Sequence, residues 1–151
     1  MKGYRIDYDQ INSNTELNTL LMVLEPYLKN YVWVVADVEA TQLDKKGSLV
    51  TPFYENPKTI LWLPHAQLKE EATSLVSLNW GAFLAFLPQE AYFEFESSQI
   101  PYSEGRPPCI QHPKAIIEIQ AVDGGYFEVF STIENITTVL AEYFELVEIT
   151  I

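Results

Sequence analysis

Large and polar residues alternate over Gly3–Tyr8, with Tyr4, Ile6 and Tyr8 set against Arg5 and Asp7, and this period of two predicts a half-buried strand. Ser13 followed by Glu16 is a capping-box pattern, and Leu17, Leu20, Leu21, Leu24 and Leu28 then share one helical face. Pro26 has no N–H to donate and its ring crowds the preceding turn, so this helix is expected to end or kink near Leu24. Tyr31–Val38 is a β-branched and aromatic run, the pattern of a central strand. Residues 40–58 read as a long loop or ragged hairpin, with Lys45-Lys46-Gly47 at a turn and Pro52 and Pro57 as breakers. Thr59–Leu63 reads as a short strand. Pro64 suits a first helical position, and Leu68, Ala72, Leu75 and Val76 then form a helical face.

Gly81–Leu87 and Ala91–Glu96 read as two strands separated by Pro88-Gln89-Glu90. In the second, Phe93 and Phe95 point one way and Glu94 and Glu96 the other. Residues 97–114 carry four prolines and one glycine, a long irregular loop of the kind that is either functional or mobile. Ala115–Ala121 and Tyr126–Phe130 flank Asp123-Gly124-Gly125, a hairpin signal because glycine accepts positive φ. Ser131 and Glu134 form a second capping box, and Ile133, Ile136, Leu140, Tyr143 and Phe144 an apolar stripe at helical spacing. Leu146–Ile151 closes the chain as a strand. This order predicts a single α+β domain over residues 1–151: a mixed, mainly antiparallel sheet with two or three helices packed on it. Strand order stays open.

The chain has 151 residues, 48% hydrophobic and 20% charged, which argues against disorder and allows a core without staples. Residues 72–89 are uncharged, but Thr73, Ser74, Ser77 and Asn79 interrupt them and only Ala82–Leu87 is continuously apolar. A membrane helix needs about 20 mostly apolar residues, so a buried core element is expected there. One cysteine makes no internal disulfide, and with two histidines it makes no Cys/His zinc site. The first residues lack the apolar run of a signal peptide, which leads to an expectation of a cytoplasmic protein.

Charge sharpens the picture. Residues 1–88 hold ten acids and seven bases, whereas 89–151 hold eleven acids and only Arg106 and Lys114 as bases. A one-sided negative field repels nucleic-acid phosphates and anionic lipid and speeds encounter with a basic partner. The same acidity also serves plain solubility.

Chemistry-bearing patterns are sparse. Phosphate-binding glycine loops, G-x-S-x-G, H-E-x-x-H and paired C-x-x-C are all missing, and no cofactor is expected. Cys109 and His112 form the one nucleophile–base pair that can be drawn, three residues apart among prolines in acidic surroundings that raise a thiol pKa. Their plainer reading is a half-buried cysteine and a surface histidine. His65, following Pro64 at a helix start, reads as a structural, neutral histidine. Glu94/Glu96 and Glu118/Glu128 fall on outward strand faces, where a solvated role outweighs acid catalysis. Asp37 and Glu39 end an apolar strand, a common place for a catalytic carboxylate, and with Asp44 they lack calcium-ligand spacing. Exposed tyrosines such as Tyr54 or Tyr102 suit an interface.

Residues 115–131 (Ala-Ile-Ile-Glu-Ile-Gln-Ala-Val-Asp-Gly-Gly-Tyr-Phe-Glu-Val-Phe-Ser), with the helix and Phe144-Glu145-Leu146 that follow, resemble the closing module of small acidic immunity proteins of bacterial polymorphic-toxin and contact-dependent inhibition systems. The resemblance covers about 35 of 151 residues. It implies a non-catalytic binding protein that neutralises a basic toxin, such as a nuclease, by direct contact. The expected contact surface comprises Glu94, Glu96, Glu118, Asp123 and Glu128, with Tyr102 and Arg106 of the 97–114 loop beside them. An adaptor or structural domain without a specific basic target is the alternative, and a small enzyme using Asp37/Glu39 or Cys109/His112 a third reading. Oligomeric state stays open.

Overall fold

The first alternation becomes strand β1, Lys2–Asp7, in which Tyr4 and Ile6 are buried and Arg5 and Asp7 are half-exposed. The structure is a computed structural model and describes residues 1–8, 16–50 and 60–150. Ser13 of the first capping box, Pro52, Tyr54, Pro57 and Thr59 lie outside the described residues.

Helix α1 runs Glu16–Leu28, through Pro26 rather than stopping near Leu24. The helical ladder resumes beyond the proline, where Lys29 N–H donates to the Glu25 carbonyl at 3.0 Å. Pro26 faces solvent while Leu24 and Leu28 are fully buried on the leucine stripe. An interior proline costs about 3 kcal/mol, an amount that burying Leu28 on the core offsets.

Strand β2 covers Val32–Leu43 and so takes in the first part of the expected loop. It turns at Asp44–Gly47, where Gly47 has φ +80°, and pairs with the short β3, Leu49–Val50. Strand β4 is Leu61–Pro64, and α2 is His65–Ala72. Leu75 and Val76 are not on the α2 face as the spacing suggests. The Thr73 and Ser74 hydroxyls donate to the carbonyls of Glu70 and Glu71, which ends the helix. The chain then enters the twelve-residue β5, Leu75–Phe86. Trp33 Nε1–H donates to His65 Nδ1 at 3.0 Å, tying β2 to α2 inside the core.

Residues 91–96 form no strand. Both edges of β5 are already occupied, by β2 and by β6 (Ile117–Val122), and Tyr92 adopts φ +62°. The alternation survives without pairing: Phe93 and Phe95 turn inward and Glu94 and Glu96 outward. The hairpin of β6 and β7 (Tyr126–Ser131) forms as expected, with Asp123 and Gly124 at φ +50° and +64°. A Cβ on Gly124 would also sit 2.9 Å from Asn79 Oδ1, so a larger residue there would have to displace that side chain as well as adopt a strained φ.

The second capping box does not form. Ser131 is still a strand residue paired with Lys2 and Ile117, and its hydroxyl accepts the Ile133 N–H at 2.9 Å. Helix α3 begins only at Ile136, after Asn135 at φ +67°, and ends at Ala141. Tyr143, beyond that end, leaves the stripe and is 63% exposed, whereas Phe144 remains buried. Strand β8 is Val147–Ile149.

Every described pairing is antiparallel, in the order β3-β2-β5-β6-β7-β1-β8, with β4 sharing the outer edge of β2 with β3. The fold is α+β, and the parallel component allowed for is not seen among the described residues. The inward side chains of β1, β2, β5, β6 and β7 meet all three helices in the main core, which holds Leu28, Trp33, Phe83 and Phe127. The opposite sheet face carries a second, smaller cluster around Val34, Leu84 and Phe86, covered by residues 91–115.

Leu28→Ala should lower the unfolding free energy by about 2–5 kcal/mol in urea titrations, while Met22→Ala on the exposed face should change it by less than about 0.5 kcal/mol. A small effect at Leu28 would mean that the turn after Pro26 does not hold the core.

Candidate functional site

The second sheet face decides where the expected site residues go. On β6 the side chains of Glu118 and Gln120 alternate with core-facing Ile117, Ile119 and Ala121, so they point to the face that residues 91–115 cover. Glu118 is therefore not on a solvated face: its relative exposure is 0%. Gln111 reaches it twice, the backbone N–H to one carboxylate oxygen and the side-chain amide to the other, each at 2.8 Å. The Gln120 amide donates to the second oxygen as well. Arg106 Nε lies 3.9 Å from that oxygen, an ion pair without a direct hydrogen bond. All these partners are donors, which suits an acceptor-only carboxylate. Burial nevertheless pushes the Glu118 pKa up, with the Gln111 and Gln120 hydrogen bonds and Arg106 working against it.

Arg106 is likewise not a surface residue. Its side chain is 8% exposed, its Nη2 donates to the Cys109 carbonyl at 3.1 Å and lies 3.4 Å from Cys109 Sγ, and its guanidinium sits 5.1 Å over the Tyr102 ring. Gln111 also clamps Tyr102, accepting its N–H at 2.9 Å and donating to its carbonyl at 2.7 Å. Ser103 donates through both N–H and hydroxyl to Asp37 Oδ2, at 2.8 and 2.9 Å. Asp37 does not end β2 but sits at a register irregularity within it, at φ +53°. Its carboxylate anchors the loop, and Glu39 is exposed on the same strand. The 97–114 segment is thus irregular but pinned at Ser103, Tyr102, Arg106 and Gln111.

His112 is buried, not superficial. It stacks on Phe93 with centroids 4.7 Å apart, touches Phe86 and Phe95 edge-on, and accepts the Lys114 N–H on Nδ1 at 3.2 Å. Cys109 is half-buried and free. Among the described residues no hydrogen bond joins Cys109 to His112, and no cluster of His, Cys, Asp and Glu could hold a metal ion. No described helix is long and apolar enough to cross a membrane.

Of the expected contact residues, Glu94, Glu96, Asp123 and Tyr102 are exposed. Glu94, Glu96 and Tyr102 belong to the segment that covers the second face, whereas Asp123 lies at the β6–β7 turn. Glu128 is half-buried, opposite Arg5 in the β1–β7 register, with its pKa raised by burial and lowered in part by Arg5. Sequence reasoning missed Gln111, Ser103 and Trp62. Trp62 on β4 packs against Phe86, Phe93 and Phe95 at 5.2–5.9 Å and joins the loop to the sheet.

Two predictions arise from this network. Glu118→Gln sets an amide donor against a ring of donors and leaves Arg106 without its ion-pair partner. It should cost about 3–5 kcal/mol in urea unfolding and speed labelling of Cys109, the single thiol, whereas Glu94→Gln should do neither. Both histidines are held below their ordinary pKa, chiefly by burial and, for His112, by Lys114. A group with a depressed native pKa binds fewer protons folded than unfolded, so its contribution is full above about pH 6.5 and is lost as the pH falls below it. Glu118 and Glu128 are shifted up and act the other way, their contribution being complete below about pH 4.5 and lost as the pH rises through their native values. Unfolding at pH 7 and 5.5 should therefore show wild type losing stability relative to His65→Gln as the pH falls.

No protein-family model matches the chain, and neither a curated protein nor a solved structure matches it.

Proposed function

We propose that the chain is a non-catalytic, acidic binding protein of the immunity class, acting in the cytoplasm and neutralising a basic protein, such as a nuclease toxin, by direct contact. One observation carries this reading. Glu94, Glu96 and Glu104 are exposed on the segment pinned over the second sheet face, and among the described residues none of them has an ion-pair partner. Acids held on a preorganised surface speed encounter with a basic partner and choose it by complementarity. Tyr92, 61% exposed, and Tyr102 stand beside them, and tyrosine is a residue type that anchors interfaces. The resemblance of residues 115–131 to the closing module of immunity proteins supports the same class. Glu118 and Arg106 support that surface from beneath and do not belong to it.

A tagged pull-down from the native host, eluted with rising salt, is expected to give one basic protein at about equal amount. The variant Glu94→Lys, Glu96→Lys, Glu104→Lys should then slow its association by about tenfold or more and flatten the salt dependence. No basic partner, or unchanged association rates, would leave an adaptor or structural domain whose acidity has no target.

A further inference from the structure

A recess of about 300 Å³ opens between β4 and the segment that follows β5, lined by Ile60, Trp62, Phe93, Glu94, Phe95 and Ile100. Its wall is aromatic: Trp62 meets Phe93 edge-on at 5.2 Å and Phe95 at 5.9 Å. One charged side chain lines it. Glu94 is exposed and has no ion-pair partner among the described residues. Beside Trp62, at 5.5 Å, stands the exposed ring of Tyr92. Its φ of +62° is a strained conformation for a bulky aromatic residue, one that persists only where the surroundings hold it. The cluster also draws a cation from its own chain, the Lys114 ammonium lying 5.7 Å over the Phe93 ring.

Aromatic faces, two isoleucines and a lone carboxylate together select one kind of side chain. It has an apolar stem, a weakly hydrated positive head that stacks on rings, and donors for a carboxylate. We propose that this recess receives an arginine side chain of the basic partner, its guanidinium against Trp62 and the carboxylate of Glu94 and its methylene stem along Ile60 and Ile100. Lysine suits the recess less well, because a compact, strongly hydrated ammonium loses more water and cannot fork onto a carboxylate. A purely apolar occupant would leave the Glu94 charge uncompensated.

The inference deepens the proposed function and rests on it for the identity of the occupant, but the recess can be tested by itself. The probe is the tripeptide acetyl-Gly-Arg-Gly-amide, titrated into the full chain labelled with nitrogen-15. The Trp62 indole resonance, assigned with Trp62→Phe, is the readout, and the lysine and citrulline tripeptides serve as comparisons. The arginine peptide should shift this resonance saturably, the lysine peptide should bind several-fold more weakly, and the neutral, isosteric citrulline peptide should leave it unmoved. Glu94→Gln should weaken arginine binding at least fivefold, while Glu148→Gln, on β8 at the far edge of the sheet, should leave it unchanged. No shift with arginine, an equal shift with citrulline, or the same loss in both variants would overturn the proposal. A basic partner captured without this signature would sink the recess and leave the binding role standing. The signature without a captured partner would do the reverse.

Discussion

The carboxylate of Glu118 is the constraint on which the second face of this protein depends. A charged group with no solvent exposure is stable only when donors replace its water, and here they come from Gln111, Gln120 and, more distantly, Arg106. Gln111 and Arg106 lie on a segment rich in proline, with no α-helix or sheet ladder to order it. Satisfying one buried acid therefore orders a loop. Gln111 passes the constraint on by clamping the backbone of Tyr102, and Ser103 then meets Asp37 across 66 positions of sequence.

The two faces of the sheet are stabilised by different physics. Against the helices, leucine stripes and large aromatics bury apolar surface, and the Trp33–His65 hydrogen bond is a polar contact inside that layer. On the opposite side, a compact aromatic cluster of Trp62, Phe86, Phe93, Phe95 and His112 sits next to the Glu118 network. Hydrophobic burial gives little direction, whereas the hydrogen-bonded acid gives a great deal. Together they hold residues 91–114 over the sheet, with only the short 3-10 turn Ser97–Gln99 as regular structure.

That division shapes the surface on which the proposed partner contact would lie. The segment carries its aromatic rings inward and its acids outward, so Glu94 and Glu96 project from a platform that Phe93 and Phe95 anchor. A preorganised acidic lip loses less conformational freedom on binding than a mobile one of the same composition. The proposed arginine recess lies where these layers meet, at the boundary between the aromatic cluster and the acids.

Much of the architecture was legible in the amino-acid sequence. Local pattern determined β1, the leucine face of α1, the apolar β2, the Asp123-Gly124 hairpin and the α+β class, because period and turn chemistry act within a few residues. The acidic character followed from composition alone. Pattern misled where a distant partner settled the outcome. Leu28 carries α1 past Pro26 because the core below it is deep, and residues 91–96 stay unpaired because β2 and β6 already hold both edges of β5. Alternation assigned Glu118 and Glu128 to one face correctly, but whether that face meets water depended on a loop seven residues away from Glu118 in sequence and folded back over it. Gln111 and Ser103 gave no signal at all, since a hydrogen-bond partner is defined by a neighbour in space. The sequence by itself determined the locally patterned elements and the charge they carry. The tertiary structure alone decided which acids are solvated, because burial is a property of what packs on a face and not of the face's own residues.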